Sequence, residues 1–108
     1  MSNTWGQVPG ASSAWLSPAF GQRTLFFGFV VYYADDGTLS AAGLEFIDAA
    51  ERFLSAEGGR PHWGKYFDPT LYDWEAIYPK WSQFCALRAR FDPEGKFRNE
   101  YIGGLFGI

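Results

Sequence analysis

Gly58-Gly59-Arg60-Pro61-His62-Trp63-Gly64-Lys65 is the stretch on which the reading of the whole chain turns. Arg, His, Trp and Lys fall within eight residues that also hold three glycines and a proline, directly after an apolar, periodic segment. A rigid, closely approached loop carrying two cations and an aromatic suits an anionic or polyhydroxylated ligand. The plainer alternative is a helix C-terminus whose basic residues complement the dipole, with Trp63 as a core plug. Composition leaves both open.

Upstream of the loop the pattern predicts a helix from about Ser40 to Glu57. Ser40 suits the N-cap, and Leu39 and Leu44 stand where a hydrophobic staple would form. Phe46, Ile47, Ala50, Phe53 and Leu54 recur at helical spacing, with Glu45, Asp48, Glu51 and Arg52 on the wet side. Gly58-Gly59 would end the helix by supplying the left-handed residue after its last turn. Earlier still, Thr24 to Tyr33 reads as a strand. Phe26, Gly28, Val30 and Tyr32 form one face and Leu25, Phe27, Phe29 and Val31 the other, which predicts an interior strand covered on both sides. Asp35-Asp36-Gly37 turns the chain after it. Trp15-Leu16-Ser17-Pro18 reads as a short extended piece, and residues 1–14 as an irregular lead-in.

Downstream, residues 60–68 read as loop and 69–78 as room for a single helical turn. Pro79 suits the first position of a second helix running to about Phe91, with Trp81, Phe84, Cys85 and Leu87 inward. Asp92-Pro93-Glu94-Gly95 has the residues of a type I turn. The tail, Lys96 to Ile108, is short and glycine-rich. The fold class expected is therefore α+β, with too few strands to close a sheet alone.

The chain has 108 residues, enough for one small domain. Five Trp, six Tyr and eleven Phe bring the aromatic share to 20%, against 19% charged. So much apolar surface excludes a disordered chain. It also exceeds what so small a domain buries, so some rings are expected to pack on something outside this sequence. The net charge is −3, and nine basic residues form no stripe, so a nucleic-acid partner is not expected. The longest apolar run, Leu25 to Ala34, is about half a bilayer span. Met1 is followed by Ser-Asn-Thr-Trp-Gly, with neither a basic nor an apolar signal region. The single cysteine, Cys85, suits a reducing compartment, and a cytoplasmic location is expected. One Cys and one His exclude an all-nitrogen-and-sulfur metal site within the chain.

His62-Trp63-Gly64-Lys65, preceded by Gly-Gly-Arg-Pro, resembles the C-terminal signature of the sugar-1,4-lactone oxidases. These are the D-arabinono- and L-gulono-1,4-lactone oxidases and alditol oxidases of the vanillyl-alcohol-oxidase flavoprotein superfamily. Trp15-Leu16-Ser17-Pro18-Ala19-Phe20-Gly21 resembles the family's segment before its last substrate-domain strand. Asp92-Pro93-Glu94-Gly95-Lys96-Phe97-Arg98-Asn99 resembles its closing Asp-Pro-x-Gly-x-Phe-x-Asn. The likeness runs in the family's order over residues 13–106. Gln22-Arg23 departs from it, since relatives carry Arg then Asp there, and no role transfers to that pair.

The resemblance implies an incomplete, C-terminal portion of a flavin-oxidase fold. Residues 1–64 would end the antiparallel sheet of the substrate (cap) domain, and residues 65–108 would return to complete the FAD domain. It implies FAD as cofactor, bound mainly by an N-terminal domain or partner chain, and a small sugar-lactone or polyol as substrate. The reaction implied is hydride transfer from a CH–OH carbon to the flavin. Lys65 matches the family's active-site lysine, as catalytic, substrate-binding and cofactor-binding residue. His62 and Trp63 would shape the substrate pocket, and Asn99 would make a polar contact near the cofactor or serve as a turn residue. No metal is implied. The chain carries no glycine-rich pyrophosphate loop, and no histidine precedes His62 for covalent flavin attachment. It is therefore expected to associate with a partner chain or with itself, and to be inactive alone. Membrane association enters by resemblance only. The alternative is a non-catalytic binding module or orphan fragment that keeps the fold segment and has lost the chemistry.

Overall fold

The computed structural model describes residues 6–7 and 10–107. Among the described residues the one sheet is minimal: β1 (Gly6–Gln7) pairs antiparallel with β2 (Phe26–Phe27), Gly6 opposite Phe27 and Gln7 opposite Phe26. Single bridges join Ser12 to Phe20 and Tyr33 to Leu39. Four helices follow: α1 (Ala41–Ala56), α2 (Trp74–Ile77), α3 (Trp81–Phe91) and α4 (Glu100–Phe106), with a 3-10 turn at Pro69–Leu71. The result is a small, helix-rich α+β unit. Its radius of gyration, 16.0 Å, exceeds the roughly 13 Å of a compact 100-residue domain.

The caps explain where α1 begins and ends. Ser40 takes extended backbone, and its hydroxyl accepts from Gly43 N–H at 3.0 Å. At the other end, Gly58 N–H donates to Ser55 C=O at 3.0 Å and Gly59 N–H to Leu54 C=O at 2.8 Å, with Gly58 left-handed at φ +77°. That pair of bonds is a Schellman closure, and it needs both glycines. A Cβ on Gly59 would lie 2.6 Å from the Leu54 carbonyl oxygen. The helix thus hands the chain to the 60–65 loop in a fixed direction.

The core sits in the C-terminal half, where Tyr78, Trp81 and Leu105 are buried and Leu16, Trp63, Phe67, Trp74, Ile77, Cys85 and Phe106 pack against them. Its substance is stacked rings: Trp74 on Trp81 at 5.5 Å between centroids, and Trp81 on Phe106 at 4.6 Å. Offset stacking of this kind adds to plain area burial. Burial raises the Cys85 thiol above its ordinary pKa, consistent with a packing rather than a reactive role.

Several expectations are corrected. Thr24 to Tyr33 is not a covered interior strand: among the described residues its pairing is confined to Phe26–Phe27 and the single bridge at Tyr33, and Phe27, Phe29, Val30, Tyr32 (71% exposed) and Tyr33 stand open. Helix α1 buries no residue, and Leu44, Phe46 and Phe53 (67% exposed) face outward. The physical reason is shared: two apolar elements need a third layer, and the described residues contain none. Phe29 meets Phe46 edge-on at 5.6 Å, so the two elements cover each other only in part. Leu87, expected inward, is 42% exposed. Trp15 to Pro18 is two successive turns, closed by Ser17 N–H to Ala14 C=O and Phe20 N–H to Ser17 C=O. Pro79 lies just ahead of α3, in a turn closed by Trp81 N–H to Tyr78 C=O. The glycine-rich tail is helix α4, started by Asn99 and stopped by left-handed Gly107. The lead-in pairs at Gly6–Gln7 and bridges at Ser12, while residues 1–5 and 8–9 lie outside the described residues.

Candidate functional site

The 60–65 loop is built from its inward-facing residues. The half-buried Arg60 guanidinium donates from Nε to Ile77 C=O at 2.7 Å, and from one terminal nitrogen to Pro18 C=O at 3.2 Å and Phe20 C=O at 3.1 Å. It also lies 4.9 Å from the centre of the Tyr78 ring. Two separate chain segments, residues 18–20 and the end of α2, are thereby tied to one planar cation, a task lysine could not perform. Trp63 is the second anchor. Its indole Nε1–H donates to Leu16 C=O at 2.7 Å, and its ring stacks on Trp74 at 5.3 Å and Tyr78 at 5.4 Å.

His62 and Lys65 are both exposed. His62 Nδ1 accepts from Gly64 N–H at 3.0 Å, and its carbonyl accepts from Lys65 N–H at 3.0 Å. With Nδ1 engaged as acceptor, the neutral imidazole has its N–H donor at Nε2. Among the described residues no carboxylate lies within ion-pairing distance of the Lys65 ammonium. Tyr66 follows, 77% exposed. The arrangement is a loop with two exposed donors, an ammonium and an imidazole N–H, on a backbone held at Arg60 and Trp63. Such donors can orient hydroxyl or carbonyl oxygens and oppose negative charge growing on them.

Asn99 lies elsewhere along the chain, at the start of α4. Its Oδ1 accepts from Ile102 N–H at 2.8 Å, so the residue does the N-cap work that its turn-forming chemistry suits. It also lines an open concavity of about 500 Å³ with Arg98, Glu100, Gly103 and Gly104. No residue of the 60–65 loop lines that concavity.

Sequence reasoning missed two structural residues around the loop. Arg60 read as a cation for a ligand, yet its donors are engaged by backbone. Glu51 read as wet-side, yet its Oε1 accepts from Asp68 N–H at 2.7 Å and from the Tyr72 hydroxyl at 2.9 Å. Burial first, and the Glu51 carboxylate second, hold the Tyr72 phenol well above its ordinary pKa. Nothing local in the sequence marks either role, because both depend on partners 17 or more positions away.

This loop, its preceding helix and the Asp92–Asn99 turn fall inside one match to the D-arabinono-1,4-lactone oxidase family model, over residues 7–104. The chain belongs to that family. It is 36% identical over 93 residues to the L-gulonolactone oxidase of Bos taurus, covering 84% of this chain and 20% of the relative. It is 34% identical over 97 residues to the L-gulono-1,4-lactone dehydrogenase of Mycobacterium tuberculosis, covering 87% and 21%. The alditol oxidase of a Streptomyces species is 35% identical over 91 residues, covering 84% and 21%. The chain thus spans about a fifth of the length of the curated relatives it matches. By their names these are oxidoreductases of sugar lactones and alditols, so the lactone oxidase family is one of oxidoreductases. Among the described residues no helix is long and apolar enough to cross a membrane.

Proposed function

We propose that this chain is the C-terminal portion, or a small subunit, of an FAD-dependent oxidoreductase acting on the CH–OH group of a sugar-1,4-lactone or polyol. Family membership supports the reaction class, and at the family level the cofactor is FAD. The observation that carries the reading to particular residues is the doubly anchored loop that leaves His62 and Lys65 exposed within four residues of each other. On this reading residues 1–64 close the substrate domain and residues 65–108 complete the FAD domain, the boundary falling inside the loop itself.

The donor chemistry of the loop fits one edge of a flavin and its substrate. An unpaired ammonium suits an electron-rich ring oxygen or an alkoxide-like substrate oxygen, and an imidazole N–H suits a sugar hydroxyl. The remaining contacts would come from the FAD-binding domain or partner subunit. When bound, FAD supplies the two-electron acceptor for the hydrogen leaving the CH–OH carbon. Lys65 then stabilises negative charge that is larger in the transition state than in the ground state. His62 and Trp63 would shape the substrate pocket, and Asn99, whose Oδ1 caps α4, would make a polar contact near the cofactor through its amide nitrogen.

The test is Lys65→Met in the assembled enzyme, followed by stopped-flow flavin reduction at saturating substrate. Loss of one positioned electrostatic donor should slow reduction by about 100- to 1000-fold with flavin content unchanged. A rate within about threefold of the parent would overturn the assignment and leave Lys65 as a surface charge.

A further inference from the structure

Glu51 stands on α1, which buries no residue, and the helical pattern gives it a solvated place. Its neighbour Asp48 behaves that way, pairing with exposed Arg52 one turn on at 2.8 Å. Glu51 does not. Its Oε1 accepts from Asp68 N–H at 2.7 Å and from the Tyr72 hydroxyl at 2.9 Å, reaching 17 and 21 positions along the chain.

Those two bonds fall just past Lys65. Before it, the chain is held at Trp63, whose indole N–H donates to Leu16 C=O. After it, among the described residues, Tyr66 and Phe67 N–H have no acceptor, and Asp68 N–H on Glu51 is the first backbone group tied to another element. The Phe67 ring lies between the two anchors, edge-on to Trp63 at 6.1 Å and to Tyr72 at 6.0 Å. Lys65 is thus bracketed by Trp63 on one side and Asp68 on the other, and one carboxylate supplies the second fixing. An ammonium opposes developing charge best where it is preorganised, and a displacement of about 1 Å costs on the order of 100-fold in rate.

We propose that Glu51 is a positioning residue for the oxidation, fixing the place of the Lys65 ammonium through its hold on Asp68 and Tyr72. It acts through Lys65 rather than on the substrate. The proposal rests on the assignment of Lys65 as the electrostatic donor, and the experiment separates the two. Glu51→Leu removes both bonds. Glu51→Asp keeps the charge but is one methylene too short to make them, and Glu51→Gln keeps an acceptor oxygen at the same reach.

Amide hydrogen exchange on the full chain is read first. Glu51→Leu should speed exchange at Asp68 N–H by about tenfold or more and carry Lys65 N–H, bonded to His62 C=O, with it. Ile102 N–H, bonded to Asn99 in α4, should stay within about twofold. Glu51→Gln should match the parent. If Glu51→Leu also frees Ile102 the chain has opened as a whole, and Glu51→Asp decides by the same criteria. In the assembled enzyme, Glu51→Leu should slow flavin reduction per bound flavin by about tenfold or more at saturating substrate, and Glu51→Gln should recover to within about threefold. In a Lys65→Met background Glu51→Leu should cost less than about twofold, because groups acting as a unit do not add. Unchanged Lys65 exchange, no recovery in Glu51→Gln, or additive losses would each overturn the proposal. A Lys65→Met rate near the parent's overturns the Lys65 assignment and this proposal together, whereas a slow Lys65→Met beside a normal Glu51→Leu overturns this proposal alone.

Discussion

Replacing Arg60 by methionine asks whether the most cationic part of the loop is architecture or ligand site. Its guanidinium donates to the carbonyls of Ile77, Pro18 and Phe20 and lies against the Tyr78 ring. The site is half-buried, so each bond is taken at about 1 kcal/mol rather than the higher figure for fully desolvated charged pairs. The ring contact adds roughly 0.5–1 kcal/mol. Together these predict a loss of about 3–4 kcal/mol, against a total stability near the low end, about 5 kcal/mol, for a chain of this size with so small a core. Urea unfolding at fixed protein concentration, followed by tryptophan emission, reports directly on the site, since Trp63, Trp74 and Trp81 stack together beside it. Arg60→Lys should recover at most about a third of the loss, because an ammonium cannot reach three carbonyls held around a planar fork. A change below about 1 kcal/mol in Arg60→Met would refute the reasoning and return Arg60 to the list of free cations.

Three further outcomes are expected. Gly59→Ala should lower stability by about 1–3 kcal/mol, because its Cβ would press on the Leu54 carbonyl at 2.6 Å, and an unchanged urea midpoint would count against the Schellman closure. Burial pushes the Tyr78 phenol up to about 12; a folded-state value raised above the unfolded one contributes stability below about pH 10 that is lost as pH climbs toward 12. Tyr78→Phe should thus be near neutral at pH 7, where it removes a buried hydroxyl lacking a partner, and should flatten the alkaline loss; an identical alkaline profile would refute this. Exposed Phe27, Tyr32, Phe46 and Phe53 should drive association, read by light scattering over a dilution series, and a steady 12.2 kDa mass with cooperative unfolding would contradict it.

What the sequence made legible was local. Ser40 and Gly58-Gly59 located α1 because caps act within four or five residues. Asp92-Pro93-Glu94-Gly95 located its turn, closed by Gly95 N–H to Asp92 C=O, for the same reason. What misled was periodicity read as burial. Phe46, Phe53 and the Thr24–Tyr33 faces carry the right spacing for a core, but spacing specifies a face and not what covers it. Helix α4 was missed because Gly103-Gly104 outweighed the signals on either side, Asn99 as N-cap and Gly107 as the left-handed stop. Tertiary packing of Leu105 and Phe106 onto Trp81 offsets the low helix propensity of those glycines.

The 60–65 loop shows why its two readings could not be separated from composition. Arg60 and Trp63 are held by backbone carbonyls while His62 and Lys65 are exposed, so one stretch carries both the structural contacts and the residues to which we assign the proposed chemistry. Neither works without its opposite. An ammonium on a floppy chain loses most of its electrostatic advantage to reorganisation, and a fixed backbone without a donor does no chemistry. The Schellman closure at Gly58-Gly59 sets the loop's direction, the Arg60 fork ties it to residues 18–20 and to the end of α2, and the Trp63 stack sets its height over the core. Lys65 thereby inherits a position from three contacts it does not make. Substitutions at Arg60 or Trp63 should accordingly impair oxidation in the assembled enzyme through displacement of Lys65, lowering the flavin reduction rate without removing any group that touches the substrate.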